Sequence, residues 1–326
     1  MQDSPLRYLL FTLIAFLVPL QGNCGWYSES WNGMGTRMSV EFYAVSDEAA
    51  TQAIIFAKQE FARIERMMSS YQEDSELMRI NSLAFSRPVK ISEELSWVIQ
   101  RSLYFSDLTN GAFDITYASV GYKYDLRHQV MPGEQEIQSL LPAINYRFVA
   151  LQEDGFIQLR NANTKLDLGG IAKGYAVDKV AMGFLARGIN NAVITAGGDS
   201  RLLGDKNGRP WMIGIKDPRN PEAIAVTLPL DNVAVSTSGD YERYFIADGQ
   251  RYHHIINPVT GKSAAEVQSV TIVGSDATTT DALSTSVFVL GVDKGLTLVE
   301  SLPDTDVIII DKNRKMHFSS GLRPPQ

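Results

Sequence analysis

The chain has 326 residues, of which 44% are hydrophobic, so it is long enough to bury a core in one large domain or two closely joined domains. Its formal net charge is −7, and it contains no run of Lys and Arg residues. We therefore expect no nucleic-acid partner, because contacts with phosphates need clustered positive charge.

The amino-terminal segment predicts export. Residues 8–20 (YLLFTLIAFLVPL) form an apolar run of about 13 residues, too short to span a membrane comfortably. The run lacks a polar face, which favours a secretory signal in residues 1–24 over the alternative of a buried helix. Cys24, the only cysteine, resembles in its position the lipid-bearing cysteine of bacterial lipoproteins. Because Asn23 replaces the small residue typical of such signals, lipidation at Cys24 and nearby cleavage that leaves a free thiol are both open.

The remainder, from about residue 30 to residue 322, is expected to form one folded body, since it contains no repeat, low-complexity tract or Pro/Ser linker. Helices are expected after a capping Ser46, over residues 93–108, over 170–187 with Gly188 closing the helix, over 278–290, and after a capping Asp293. Strands are expected at 38–45, 146–151, 156–159, 192–195, 211–215, 223–228, 233–236, 244–246, 270–273 and 307–310, with a loop-rich stretch at 110–142. Because strands outnumber helices without strict alternation, we predict an α+β fold with mixed or antiparallel sheets and flanking helices, as a single large domain or two subdomains.

The stretch LDLGGIAKGYAVD, residues 166–178, places two glycines and a lysine at a predicted helix entrance. Glycines leave backbone N–H groups accessible, and the helix dipole favours an anion there. Lys173 adds a full positive charge, so the entrance favours a pyrophosphate, while Asp167 suits a hydroxyl or N–H donor of the same ligand. The alternative is a tight turn in which the glycines are needed only for packing.

Asp281, Ser284 and Thr285 share one face of the helix predicted over 278–290. Carboxylate and hydroxyl oxygens suit Mg²⁺, which completes its coordination with water and substrate phosphate oxygens. Alternatively, Asp281 makes a local hydrogen bond and the hydroxyls bond back to the helix. We expect Asp281 to be exposed, so that its replacement by alanine spares the fold.

The stretch RYHHIINPVTGK, residues 251–262, contains two adjacent histidines that point to opposite faces if the segment is a strand. A histidine can accept a proton from a hydroxyl nucleophile near neutral pH. The alternative is a histidine satisfied by a backbone carbonyl.

Eight motifs, in chain order over roughly residues 31–291, resemble those of the ApbE family of FAD:protein FMN transferases. They are MGT (34–36), Tyr71 with SELMRIN (75–81), GAFDIT (111–116), LDLGGIAKGYA (166–176), GGD (197–199), STSGDY (236–241), HIINPVTG (254–261) and DALST with a later LG (281–291). The sequence departs from the family pattern at Asn257, where the family usually has Asp. Asn preserves the turn but removes a charge.

The resemblance implies FAD contacts from Met34, Tyr71, Ala112, Phe113, Asp114, Asp167, Lys173 and Ile255. It also implies Mg²⁺ held by Asp281, Thr285 and the carbonyl of Gly170, with Ser284 as an additional candidate. The implied reaction cleaves the FAD pyrophosphate, attaches FMN to a threonine or serine of an acceptor protein and releases AMP. His254 is the preferred base over His253, because its spacing to Pro258 and Gly261 matches the motif.

The acceptors associated with the family are subunits of membrane electron-transfer complexes whose flavin sites lie outside the cytoplasm. Together with the predicted signal, this implies an exported, periplasmic protein, anchored to the inner membrane if Cys24 carries lipid. Two rival interpretations are an Mg²⁺-dependent FAD pyrophosphatase, which uses water as the nucleophile, and an exported FAD-binding lipoprotein without turnover.

Overall fold

The computed structural model describes residues 24–322, so the predicted signal in residues 1–24 lies, except for Cys24, outside the described part of the chain. The strands are β1 (Gly25–Gly33), β2 (Thr36–Ala44), β3 (Val89–Lys90), β4 (Val149–Leu151), β5 (Phe156–Leu159), β6 (Ala192–Ala196), β7 (Asp199–Leu203), β8 (Trp211–Asp217), β9 (Asn220–Leu230), β10 (Ala234–Gly239), β11 (Tyr244–Ala247), β12 (Gln250–His253), β13 (Ile256–Asn257), β14 (Lys262–Ser263), β15 (Val267–Gly274), β16 (Asp306–Asp311) and β17 (Met316–Phe318). The α-helices are α1 (Asp47–Met68), α2 (Glu76–Leu83), α3 (Glu93–Leu108), α4 (Ala118–Gly121), α5 (Glu134–Leu140), α6 (Ala172–Leu185), α7 (Ala277–Leu290) and α8 (Val292–Glu300).

An eight-stranded sheet forms the centre of the fold, in the order β1-β2-β6-β7-β10-β15-β16-β17. Every neighbouring pair in this sheet is antiparallel. The smaller units are a three-stranded sheet, β3-β5-β4, and the pairs β8-β9, β11-β12 and β13-β14, all antiparallel. The predicted α+β class with antiparallel sheets and flanking helices is therefore confirmed.

Helices α6 and α7 pack against each other and together cover strands β7, β10 and β15. Strand β15, with the sequence VQSVTIVG, is buried along its whole length, as expected for a strand covered on both faces. The main hydrophobic core runs continuously from the sheet through these helices to α1 and α3. Helix α6 therefore packs on the sheet with its amino end near the start of β7.

Helix α1 begins where the sequence predicts. Ser46 caps it by accepting a hydrogen bond from the Ala49 N–H at 3.1 Å, and Asp47 and Glu48 lie in the first turn, where the helix dipole favours acids. Helix α3 has the predicted bounds, and Gly188 follows α6 in the left-handed region with φ 75°. These local signals are sufficient because each cap involves residues only a few positions apart.

Several expectations were wrong. Residues 146–148 form a 3₁₀ turn capped by Asn145 instead of the start of a strand. The stretch 110–142 is loop-rich as predicted, but it also contains the short helices α4 and α5, which were not predicted. Asp293 does not cap α8, which follows Gly291 and has Asp293 in its first turn. Strand β1 begins at Gly25, before the expected start of the folded body.

Within residues 24–322, no helix is long and apolar enough to cross a membrane.

Candidate active site

The entrance of α6 does not offer the row of accessible amides that the sequence suggests. Four N–H groups of this segment have acceptors inside the protein: Gly169 donates to Asp167 Oδ1 (2.7 Å), Ile171 and Ala172 donate to the Leu168 carbonyl (3.0 and 2.8 Å), and Gly174 donates to Asp281 Oδ2 (2.9 Å). These amides therefore cannot cradle a phosphate without breaking existing bonds. The positive charge at the entrance comes from the Lys173 side chain.

Close packing explains two of the glycines. A Cβ atom on Gly174 would lie 2.1 Å from the carbonyl oxygen of Ala277, at the start of α7. A Cβ atom on Gly170 would lie 3.2 Å from both Thr285 Oγ1 and the Phe113 ring. The packing alternative therefore accounts for these positions, and it brings α6 directly against α7.

Asp178 on α6 fixes the position of α7. Its carboxylate accepts hydrogen bonds from the backbone N–H groups of Ala277 and Thr278, at 2.9 and 2.8 Å, and from the Thr278 hydroxyl at 2.6 Å. These two amides belong to the first turn of α7, which has no partner for them within the helix. Asp178, about one hundred residues before these amides in the chain, thus fixes the position of α7 along α6.

The joined helices bring three charged side chains together. Lys173 Nζ lies 3.3 Å from Asp281 Oδ2, 3.0 Å from Asp199 Oδ2 and 3.0 Å from the Gly169 carbonyl. Both aspartates are only 2% exposed. Burial, and next the neighbouring Asp199 charge, raise the pKa of Asp281 to about 7. For Lys173, burial lowers the pKa, but the two aspartates outweigh burial and raise it overall.

Asp281 is consequently not the exposed residue that the sequence led us to expect. It lies in the middle of α7 and accepts from the Gly174 N–H, so alanine at this position would leave a buried donor unpaired. The expectation that such a variant spares the fold is therefore wrong, and asparagine is the better replacement.

The hydroxyl groups beside Asp281 differ in how they are engaged. Ser284 Oγ donates to the Asp281 carbonyl at 2.9 Å and lies 2.8 Å from Ser238 Oγ. Thr285 Oγ1 has a longer contact with Ser238 Oγ, at 3.4 Å. The back-bonding alternative thus describes Ser284, whereas Thr285, adjacent to Gly170, is better placed as a ligand.

Asp199 is a member of this cluster that the sequence did not identify as a site residue. Its motif, GGD, was recognised without an assigned role. Gly197 has φ 64°, and a Cβ atom on Gly198 would lie 2.4 Å from the Thr237 carbonyl, so this turn needs both glycines. The turn between β6 and β7 therefore positions Asp199 next to Lys173.

A divalent cation fits the chemistry of this cluster. Among the described residues, no three His, Cys, Asp or Glu side chains group so as to hold a metal by themselves. Two buried carboxylates share one ammonium here, and Asp199 Oδ2 has no partner other than Lys173 Nζ in the described part of the chain. Few carboxylates with hydroxyl, carbonyl and ligand oxygens form the set that Mg²⁺ takes.

The two histidines occupy different environments. His253 ends β12, is buried, and has both ring nitrogens engaged: Nε2 lies 2.7 Å from the Ala264 carbonyl and Nδ1 accepts from the Ile255 N–H at 3.3 Å. The backbone-satisfied alternative therefore describes His253. His254 follows the strand and is half-buried, and within residues 24–322 its ring has one polar contact, from Nδ1 to the Arg243 carbonyl at 3.4 Å.

Electrostatics keep His254 neutral. Burial, with the nearby Arg243 charge as the next cause, lowers the pKa of His254 to about 3. At neutral pH the ring is therefore unprotonated and free to accept a proton, although with low basicity. A polyanionic ligand bound nearby would raise its basicity.

The MGT motif forms the turn between β1 and β2. Met34 and Gly35 have φ 47° and 69°, as in a two-residue turn of the type that matches strand twist. A Cβ atom on Gly35 would lie 3.4 Å from Arg243 Nη2, and one on Gly197 would lie 2.7 Å from Thr36 Oγ1. Met34 therefore lies on the same side of the molecule as Asp199 and His254.

The other predicted FAD contacts are less uniform. Phe113 adjoins Gly170, but Asp114 is buried and both its carboxylate oxygens are engaged, by Thr116 and by the Tyr146 N–H. This arrangement makes Asp114 a support for its own loop. Ala112 is half-buried beside it.

Ile255 is buried, and its backbone N–H and carbonyl are bonded to His253 and Ala264. Asp167 accepts from the Tyr117 hydroxyl at 2.9 Å. Tyr71 is 84% exposed and presents an open aromatic face.

Asn81, from the SELMRIN motif, holds the segment that leads to Asp167. Its side-chain oxygen accepts from the Leu166 N–H at 2.7 Å and its amide donates to the Leu166 carbonyl at 2.9 Å. Asn81 is buried and holds the backbone of the LDLGG segment in place, which explains why a polar residue lies in this part of the core.

Comparisons with known proteins agree with this architecture. The ApbE family model matches residues 34–309. FAD:protein FMN transferases of Treponema pallidum and Vibrio cholerae are each 30% identical to this chain, over 99% and 89% of it and over 96% and 90% of their own lengths. The crystal structure of the ApbE protein from Thermotoga maritima superposes with a TM-score of 0.83 at 35% identity, covering 91% of this chain and 98% of that one.

The flavin transferase ApbE from Vibrio cholerae superposes with a TM-score of 0.82 at 27% identity, covering 93% of this chain and all of that one. Both the sequence match and the structural likeness extend over the helices and strands that form the charged cluster. The chain therefore belongs to the ApbE family.

Proposed function

We propose that the protein is an FAD:protein FMN transferase that depends on Mg²⁺. It cleaves the pyrophosphate of FAD, forms a phosphoester between FMN and a threonine or serine hydroxyl of an acceptor protein, and releases AMP. The proposal is supported by family membership and by relatives that carry this name over nearly their whole length.

The observation that carries the proposal is the meeting of α6 and α7. Gly170 and Lys173 come from one helix entrance, Asp281 and Thr285 from the other helix, and all lie within one cluster in which Asp281 is buried. Asp281, Thr285 and the Gly170 carbonyl would hold Mg²⁺. When bound, Mg²⁺ supplies positive charge that offsets the charge of the pyrophosphate oxygens.

The chain's own residues then have distinct tasks. Lys173 carries a fixed positive charge toward the phosphates and the leaving AMP. Neutral His254 accepts the proton of the acceptor hydroxyl as the oxygen attacks phosphorus. Met34, Tyr71 and Asp167 bind FAD, with Tyr71 offering its exposed ring to a planar group.

The remaining predicted residues have weaker support. Ala112 and Phe113 contact FAD beside Gly170, while Asp114 and Ile255 contribute by shaping the loop and the strand end that carry their neighbours. Ser284 assists Thr285 through the shared contact with Ser238.

We further propose that the protein is exported and acts on a subunit of a membrane electron-transfer complex in the periplasm. The apolar run in residues 8–20 and the exposed position of Cys24 support this placement. Lipid attached to Cys24 would hold the enzyme at the inner membrane.

One incubation distinguishes the three candidate functions. Purified protein is mixed with FAD, Mg²⁺ and a candidate acceptor, and the products are separated under denaturing conditions. A fluorescent covalent adduct on the acceptor supports transfer, free FMN and AMP in its place support hydrolysis, and unchanged FAD supports binding alone.

The variant Asp281→Asn tests the metal site, because it removes one charge and keeps the shape. We expect loss of Mg²⁺-dependent turnover by about 100-fold or more, in the range seen for lost charge stabilisation. Asp293→Asn, the same change at an exposed position, serves as the control and should retain full turnover. Equal rates for the two variants would remove Asp281 from the mechanism.

A further inference from the structure

Asp199 has an unusual position for a residue outside the predicted metal and FAD contacts. It is buried at the start of β7, and its Oδ2 atom forms an ion pair with Lys173 Nζ at 3.0 Å and has no other partner in the described structure. A buried carboxylate oxygen in this condition is costly unless a nearby charge compensates it. The only basic side chain paired with it among residues 24–322 is Lys173.

Lys173 has two acidic partners, and they are not equivalent. Asp281 accepts the Gly174 N–H at 2.9 Å and contacts the ammonium at 3.3 and 3.4 Å, whereas Asp199 lies nearer to it, at 3.0 Å. Asp281 is also the single carboxylate proposed as a ligand. If the Asp281 carboxylate coordinated a cation, the Lys173 ammonium would keep Asp199 and the Gly169 carbonyl, which is 3.0 Å away, as its partners.

A divalent cation and an ammonium repel each other when they lie a few ångströms apart in a poorly solvated place. Without a second acid, the cation and Lys173 would compete for Asp281, and one of them would be displaced. The turn Gly197–Gly198 fixes the backbone at Asp199, because a Cβ atom at Gly198 would lie 2.4 Å from the Thr237 carbonyl. Asp199 is therefore held at the ammonium by the fold itself.

We propose that Asp199 is a positioning residue: it supplies the counter-charge that retains Lys173 beside the divalent cation and thereby frees Asp281 to bind that cation. The inference rests on the proposed function for the presence of a cation. This role gives the GGD turn a function in addition to those of the proposed metal ligands and FAD contacts, which do not include Asp199. Asp199 acts through Lys173 and is not itself a ligand.

A double-mutant cycle tests this assignment, with Mn²⁺ alone as the probe and no FAD present. Mn²⁺ binding is titrated by electron paramagnetic resonance for the wild type, Asp199→Asn, Lys173→Gln and the double variant. In the wild-type background we expect Asp199→Asn to weaken Mn²⁺ binding by about 30-fold, within the range for groups that orient metal ligands. In the Lys173→Gln background the same change should weaken binding only about 3-fold, through the loss of a nearby negative charge.

Equal effects in the two backgrounds would overturn the proposal, because a direct ligand is lost whether or not Lys173 is present. Absence of saturable Mn²⁺ binding to the wild type would overturn it as well. Asp199→Ser repeats the cycle with a smaller side chain, so that a folding defect of the asparagine variant does not decide the result. If wild-type protein binds Mn²⁺ with the expected coupling but leaves FAD unchanged, the proposed function fails while the role of Asp199 stands.

Discussion

The contact between α6 and α7 predicts that Gly174→Ala is strongly destabilising although alanine favours helices. The new Cβ would lie 2.1 Å from the Ala277 carbonyl and 2.8 Å from Asp281 Cβ, and neither atom belongs to a flexible side-chain end. Ordinary contact needs about 3.5 Å, so the helices must separate by roughly 1 Å or more. Overpacking of this kind costs about 1–3 kcal/mol or more, and helix propensity returns about 1 kcal/mol.

Separation of the helices also weakens the bond from the Gly174 N–H to Asp281. Adding the loss of this charge-assisted hydrogen bond, about 1.5–3 kcal/mol, gives a net destabilisation of about 3 kcal/mol. For a chain of this size that corresponds to a midpoint of thermal unfolding lower by about 4–5 °C. We expect the proposed turnover of FAD to fall with it, because Asp281 moves away from Lys173.

Gly183→Ala is the matched control, since it makes the same change in the same helix. Its Cβ would lie 2.1 Å from Phe56 Cζ, the far end of a half-buried side chain that can rotate aside. Calorimetry should therefore find the Gly183 variant within about 1 kcal/mol of the wild type, the size of the propensity gain. Equal melting temperatures and equal turnover for the two variants would refute the inferred closeness of the helices.

Three further variants follow from the site. Asp178→Ala removes the acceptor of three donors at the start of α7, and it should lower the free energy of unfolding in urea by about 3 kcal/mol. The control variant Asp293→Ala should lower it by less than about 0.5 kcal/mol. A similar loss in both variants would contradict the capping role of Asp178. His254→Ala should slow FMN transfer with FAD still bound, as measured by fluorescence titration, and loss of FAD affinity instead would make His254 a flavin contact. His254→Gln should also reduce the loss of unfolding free energy at acidic pH. The folded state keeps a His254 pKa of about 3, so between about pH 6.5 and 3 only the unfolded chain takes up this proton. The unfolding free energy of the wild type therefore falls as the pH falls through this range, and that of the variant should fall less. An unchanged pH dependence in the glutamine variant would contradict the lowered pKa.

Helix positions were predictable where the information is local. The Ser46 cap, the bounds of α3 and the span of α7 follow from capping residues and apolar spacing within a few turns. Failures occurred where short segments lack a period, as at 146–148, where Asn145 starts a 3₁₀ turn.

The site was predictable as a set of motifs but not as a set of roles. Motif order identified Lys173 and Asp281, yet it could not reveal that Asp178 joins α6 to α7, since that contact spans about one hundred residues. It also could not distinguish Asp114, whose oxygens are bonded by Thr116 and by the Tyr146 N–H, from Asp199, whose Oδ2 has only the Lys173 ammonium as a partner in the described structure. Such differences depend on which neighbours the sheet brings near.

The order of strands in the central sheet has a consequence for biosynthesis. Strand β2 pairs with β6, which the ribosome delivers nearly 150 residues later, and Lys173 meets Asp281 only once α7 has been made. A chain arrested before α7 leaves β10 and β15 without their covering helix and offers apolar surface to chaperones and proteases. Truncated products of this gene should therefore be cleared without ever acquiring flavin chemistry, and any turnover in a cell extract comes from completed chains.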